Sequence, residues 1–234
     1  MRKAANLMVS RGLRVQYASG WDGRGRPYSF SPSVGIIDHH TASTSDIDSV
    51  LINGRSDLPG PLCNWALHKD GTWVLIASGY ANHAGESQPN APTNSTGWGV
   101  EATGPIPAGA TGPSAFPQYD SYVLGMACII EAEKWGNSKI WGHKESCYPP
   151  GRKGDPYFDM NTFRNQVAEG GDSDLPLNDA DKSWIKQAIN DALYYHNLVV
   201  MSGAGNSAVN TGNYPEYFDG DHSSNQAVID ELKG

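Results

Sequence analysis

Two short apolar runs in the chain each stop at a histidine. Val34 to Asp38 leads into His39, and Lys139 to Gly142 leads into His143. If both runs are strands of one sheet, two imidazoles sit at neighbouring strand ends. Imidazole suits zinc, and a catalytic zinc site takes three protein ligands and keeps one position for water. Asp155, on a loop anchored by Pro149, Pro150 and Pro156, is a third candidate ligand. The chain has 7 histidines, and structural histidines and solvated carboxylates are common, so chance adjacency is the competing reading.

Such a site needs strands to carry it. Val34 to Asp38 (VGIID) is mostly β-branched and reads as an interior strand. Asn64 to His68 and Thr72 to Ala77, joined by Lys69-Asp70-Gly71, read as a hairpin. Gly97 to Ala102 is a fourth strand, softened by its glycines. The period then changes: Tyr122, Met126, Ile129, Ile130 and Glu133 predict an amphipathic helix capped by Asp120 or Ser121. Ala4 to Arg11 predicts a short first helix, and Asp159 caps a last one carrying Met160, Phe163 and Val167. The fold class expected is α/β, a mixed central sheet flanked by helices. Trp21, Trp65, Trp73 and Trp98 are expected in the core rather than along a sugar groove.

Gly and Pro make up 42 of the 234 residues, which argues for a compact domain with long irregular connections. Residues 1–168 hold 14 basic and 14 acidic side chains, and the remainder holds 3 and 11. Neither part offers the basic field that nucleic acid requires. Gly170-Gly171-Asp172-Ser173-Asp174 marks a linker. The domains expected are therefore 1–170, catalytic with an N-terminal extension, and 171–234, an acidic linker with a helical C-terminal segment around 180–195. Cys63, Cys128 and Cys147 cannot all pair within one chain, no signal-like run follows Met1, and no stretch approaches a membrane span. A monomer made in a cytoplasm, with no membrane insertion, is expected.

Four stretches in order carry a resemblance. Ile36-Ile37-Asp38-His39-His40-Thr41-Ala42 resembles the first ligand motif of the zinc-dependent type 2 N-acetylmuramoyl-L-alanine amidases, the family that includes the peptidoglycan recognition proteins. Asn82-His83-Ala84-Gly85 resembles its His-Ala-Gly motif, Gly97 to Glu101 its glutamate-bearing strand, and Trp141 to Pro156 its second and third ligands. Within the family the pattern is most similar to endolysins of phages that infect actinobacteria. The resemblance implies a type 2 amidase, peptidoglycan recognition protein-like fold, a Zn2+ cofactor on His39, His143 and Asp155, and bacterial peptidoglycan as the partner. It also implies synthesis in a host cytoplasm and action on the wall after release.

By the same resemblance, Glu101 takes a proton from water and delivers it towards the leaving amine, and Lys153 stabilises the oxyanion. His83 would contact substrate or orient a ligand. Alternation along the strand turns His40 away from His39, towards a supporting or packing role. The reaction implied is hydrolysis of the amide between N-acetylmuramic acid and L-alanine; the alternative is a non-catalytic peptidoglycan-binding module of the same fold. Two departures stand out. The step from His143 to Asp155 is two residues longer than the common bacterial form, with Cys147 inside it as a small buried side chain, and Cys63 sits where several relatives carry tyrosine. Arg152 is expected to be a solvated turn residue.

Overall fold

In the computed structural model, residues 1–104 and 116–170 are described. The loop across 105–115 and the C-terminal helix expected at 180–195 lie outside them. The chain opens with α1 (Arg2–Ser10) and β1 (Val15–Tyr17), then β2 (Gly35–His40), α2 (Asp48–Asn53) and the small hairpin β3 (Gly54–Arg55) and β4 (Leu58–Pro59). There follow β5 (Trp65–Leu67), β6 (Trp73–Leu75), β7 (Gly97–Ala102), α3 (Tyr119–Glu133), β8 (Ile140–Gly142), α4 (His143–Ser146) and α5 (Met160–Ala168).

Six strands form one mixed sheet in the order β1-β6-β5-β7-β2-β8, and β5 with β6 is its one antiparallel pair. β2 lies between β7 and β8, parallel to both. Gly35 to His39 are all buried, as expected of a central parallel strand covered on both faces. Alternation sorts the side chains of the hairpin. Trp65, Leu67, Trp73 and Leu75 enter the large core with α1, α3 and α5. Ala66, Val74 and Ile76 enter a smaller cluster with Leu51, Leu62 and Cys63, under α2.

The α/β class and each expected strand are present, and the four tryptophans are core residues. α5 begins as expected: Asp159 Oδ1 accepts from the Thr162 N–H at 2.7 Å. Two expectations about α3 are corrected. It starts after Gln118, which makes no side-chain cap, so neither Asp120 nor Ser121 caps it. Nor is it amphipathic, because α1 and α5 pack on it while it lies over the sheet, and 11 of its 15 residues are buried. β1, α2, the β3–β4 hairpin and α4 have no counterpart in the sequence reading.

Candidate metal centre

Register brings the proposed groups together. Asp38 pairs with Gly142, so His39 and His143 follow adjacent strand ends. His39 pairs with Glu101 on β7, and Glu101 pairs with Ala66 on β5. Glu101 therefore leaves the α2 face of the sheet beside His39. His143 opens α4, whose start is fixed by Glu145: its carboxylate accepts from the Gly142 N–H at 2.9 Å and from both Arg164 amino groups at 2.8 and 3.0 Å. Asp155 is held by its carbonyl, which accepts from the Lys144 N–H at 2.7 Å.

Three potential ligand atoms converge. His39 Nδ1 and His143 Nδ1 are 2.9 Å apart, and Asp155 Oδ2 lies 3.5 Å from the first and 3.1 Å from the second. His143 Nε2 is 3.2 Å from the Ala84 carbonyl, which can only accept. Nε2 is therefore placed to donate, and in that tautomer Nδ1 offers a lone pair. His39 Nε2 faces His83 Nδ1 at 3.2 Å; a proton on His39 Nε2 makes His39 Nδ1 a second lone pair. Burial keeps His39 neutral by drawing its pKa down to about 4. Without an ion between them, the same rings can turn an Nδ1 proton to Asp155, and such hydrogen bonds and charge from His143 and His39 outweigh burial and hold the carboxyl well below its ordinary range.

With both Nε2 atoms protonated, two lone pairs and a carboxylate oxygen at these separations repel one another unless a cation lies among them. Ligands about 2.0–2.1 Å from a tetrahedral zinc ion stand roughly 3.3 Å apart, close to the three distances here. The outward nitrogens already have partners, as ligating histidines generally do. This buried cluster is the one group of three or more His, Cys, Asp or Glu among the described residues with metal-holding geometry.

Around it is a cleft of about 440 Å³, lined also by His40, His83, Glu101 and Lys153. Glu101 Oε2 is buried without a hydrogen-bond partner. Burial first, and then the charge of Asp155, push its carboxyl up to about 8 against the pull of Lys153. Lys153 is exposed at the rim. His40, at the last position of β2, packs on Phe116 and Tyr157, with ring centroids 5.9 and 4.8 Å away, yet also reaches the cleft. Cys147 and Cys63 are buried free thiols.

Several supporting residues escaped the sequence reading. The Asn94 amide oxygen accepts from the N–H groups of His83 and Ala84 at 2.9 and 2.7 Å. A Cβ on Gly99 would sit 2.5 Å from His83 Cγ, so the glycine that softens β7 is what admits the His83 ring. Arg152 is an exposed turn residue, as expected, but its guanidinium also donates to the carbonyls of Tyr148, Ala84 and Glu86, tying the ligand loop to the His83 segment. His68, given no role from sequence, lies between Asp48 at 2.9 Å and Asp46 at 3.6 Å and holds the start of α2. No motif marks these contacts, which join segments far apart in the chain.

No protein-family model and no curated protein matches the chain. Among solved structures it is similar to the endolysin N-acetylmuramoyl-L-alanine amidase LysCS from Clostridium intestinale, at 16% identity over 66% of this chain and 95% of that one, TM-score 0.46. It is similar at 17% identity to the Ph2119 endolysin of a Thermus scotoductus bacteriophage, over 68% and 99%, TM-score 0.46. A third is the E. coli amidase AmiD in complex with anhydro-N-acetylmuramic acid-L-Ala-D-gamma-Glu-L-Lys, at 20% identity over 61% and 60%, TM-score 0.44. The functional assignment rests on the site itself: a buried His39–His143–Asp155 cluster whose geometry is consistent with zinc, opening onto a cleft.

Proposed function

We propose that the chain is a zinc-dependent N-acetylmuramoyl-L-alanine amidase of the type 2 family, hydrolysing the amide between N-acetylmuramic acid and L-alanine in bacterial peptidoglycan. The role proposed is that of a phage endolysin, made in the host cytoplasm and acting on the wall after release. The observation that carries this reading is the convergence of two imidazole nitrogens and one carboxylate oxygen, with a buried, unpartnered oxygen of Glu101 beside them.

His39, His143 and Asp155 would hold the ion, which when bound supplies a Lewis acid that polarises the amide carbonyl and acidifies water. Glu101 is suited to move a proton because burial raises its affinity for one towards neutral pH. It would take a proton from the attacking water at Oε2 and return it to the leaving nitrogen. Lys153, exposed at the rim, would bring positive charge to the carbonyl oxygen as negative charge develops there. His83 fixes the ring of His39, and Asn94 and Gly99 fix His83.

Metal content measured beside muropeptide hydrolysis tests these roles. His39→Ala, His143→Ala and Asp155→Ala should each lose zinc and turnover together. Glu101→Ala should keep its zinc and lose turnover by about 100-fold or more, and Lys153→Ala should keep its zinc and lower kcat more than it raises KM. A folded Glu101→Ala protein that loses zinc, or turns over near the wild-type rate with zinc bound, contradicts the assignment. A wild-type protein that binds wall fragments but cleaves none is a binding module instead.

A further inference from the structure

The outer nitrogens of the two histidine ligands meet adjacent residues of the chain. His39 Nε2 lies 3.2 Å from Nδ1 of the His83 ring, and His143 Nε2 lies 3.2 Å from the Ala84 carbonyl oxygen. One dipeptide therefore sets the rotation of both rings, and its own placement becomes part of the site. Its N–H side is fixed by the Asn94 amide oxygen. Its carbonyl side is met by Arg152, whose Nη2 lies 3.4 Å from the Ala84 oxygen and 2.9 Å from the Glu86 oxygen.

The chain makes room for that guanidinium. Gly85, between the two carbonyl-bearing residues, has φ +64°, and a Cβ there would lie 3.0 Å from Arg152 Nη2 and 3.3 Å from Nη1. Glycine admits the left-handed backbone and the close approach together. The near end of the side chain is held too: Nε donates to the Tyr148 carbonyl at 2.7 Å, and the Arg152 N–H donates to the Pro149 carbonyl at 3.1 Å. Joining the two segments does not itself need Arg152. The Tyr148 N–H already donates to the Glu86 carbonyl at 2.9 Å, and the Gln88 N–H to the Ser146 carbonyl at 2.7 Å. What the guanidinium adds is its contact with Ala84, on the oxygen that faces His143.

A carbonyl oxygen has two lone pairs, so Ala84 can accept from His143 Nε2 and Arg152 Nη2 at once. We propose that Arg152 is a positioning residue for the metal centre: it fixes the Ala84 carbonyl and, through it, the ring of His143. This deepens the proposed function and rests on it. Arg152 acts through another residue and takes no part in the chemical step; it holds a ligand in line. A planar fork that spans the carbonyls of Ala84, Glu86 and Tyr148 does what a single ammonium cannot. Asp155 lies three residues further along the same loop, so one side chain couples the place of the third ligand to the orientation of the second.

The test compares the full chain with two variants: Arg152→Met, which keeps a long side chain and removes every donor, and Arg152→Lys, which keeps the charge and removes the fork. Zinc affinity is read against a competing chelator, and the imidazole N–H signals of the zinc-loaded proteins are read by NMR. Arg152→Met should weaken zinc about 10-fold, the lower end of the range for a group that orients a ligand. It should also lower kcat while KM stays within about 2-fold. The Nε2 proton of His143 should exchange faster with water, while that of His39, which faces His83, keeps its wild-type rate. Arg152→Lys should behave like Arg152→Met. Unchanged zinc affinity and exchange in Arg152→Met overturn the inference. Wild-type affinity in Arg152→Lys overturns it too, because charge alone would then be the cause. So does equal quickening of both imidazole signals with a lower unfolding midpoint, as a merely loosened loop would give. A wild type that binds zinc but hydrolyses no muropeptide overturns the proposed function instead, and affinity and exchange still read the role of Arg152.

Discussion

A carboxyl group buried without a partner carries a thermodynamic signature. An unfolded Glu101 titrates near its ordinary value of 4.5, and the folded one near about 8. Between these values the folded state binds the extra proton, so this group makes stability fall as pH rises. His39 acts in the opposite sense, since its folded pKa of about 4 lies below the ordinary 6.5, and its contribution rises with pH and is complete by about pH 7. In chelator-treated protein, the stability difference between wild type and Glu101→Gln isolates the glutamate. It should change by about 1 kcal/mol per pH unit between pH 6 and 7.5, with the wild type losing ground as pH rises. Denaturant unfolding across that range reads it directly, and a pH-independent difference would mean that Glu101 is solvated. His83→Ala should cost about 10- to 100-fold in zinc affinity or turnover, the usual scale for a residue that orients a ligand. Gly99→Ala should do the same by displacing the His83 ring. Zinc titration against a competing chelator checks both, and wild-type affinity in either variant would remove His83 from the account.

At the scale of elements, the metal centre depends on contacts that fix strand ends and helix starts. Arg164 grips Glu145 while also donating to the Ile140 carbonyl at 3.0 Å, so one side chain joins α5, β8 and α4. Arg164→Ala should cost about 1–3 kcal/mol of stability, seen as a lower unfolding midpoint, because Glu145 then loses the group that aims it at Gly142. His68→Ala should raise KM more than it lowers kcat, since it loosens α2, whose Val50 and Leu51 line the cleft, without touching the ligands. Unchanged KM would show that α2 keeps its place without that clamp. These elements also show what the sequence made legible. β2, β7 and β8 were readable because each is a short, largely apolar run, and their register then delivers His39, Glu101 and His143 to one place. α2 and its hairpin were not, because six helical residues and two pairs of strand residues carry no period. They exist through the His68–Asp48 contact, the hydrogen bond from the Asn82 side chain to the Pro59 carbonyl and the sterics of Gly54. α3 was placed but misread as amphipathic, since its outer face is apolar only to meet α1 and α5.

For the molecule as a whole, every group assigned to chemistry or to substrate lies between His39 and Tyr157, and the described core closes with Val167 in α5. Truncation after Ala168 should therefore leave hydrolysis of soluble muropeptides intact, and a folded, zinc-loaded truncation without activity would contradict this. No helix among the described residues is long and apolar enough to cross a membrane. The central claim concerns which bond of the wall is cut, and by what. The most direct measurement is digestion of purified peptidoglycan by the full chain, with new amino termini and new reducing ends assayed in the same samples before and after removal of metal. The account predicts amino termini at L-alanine without new reducing ends, lost on chelation and restored by stoichiometric zinc. New reducing ends without amino termini, or amine release that persists after the metal has been removed, would contradict it.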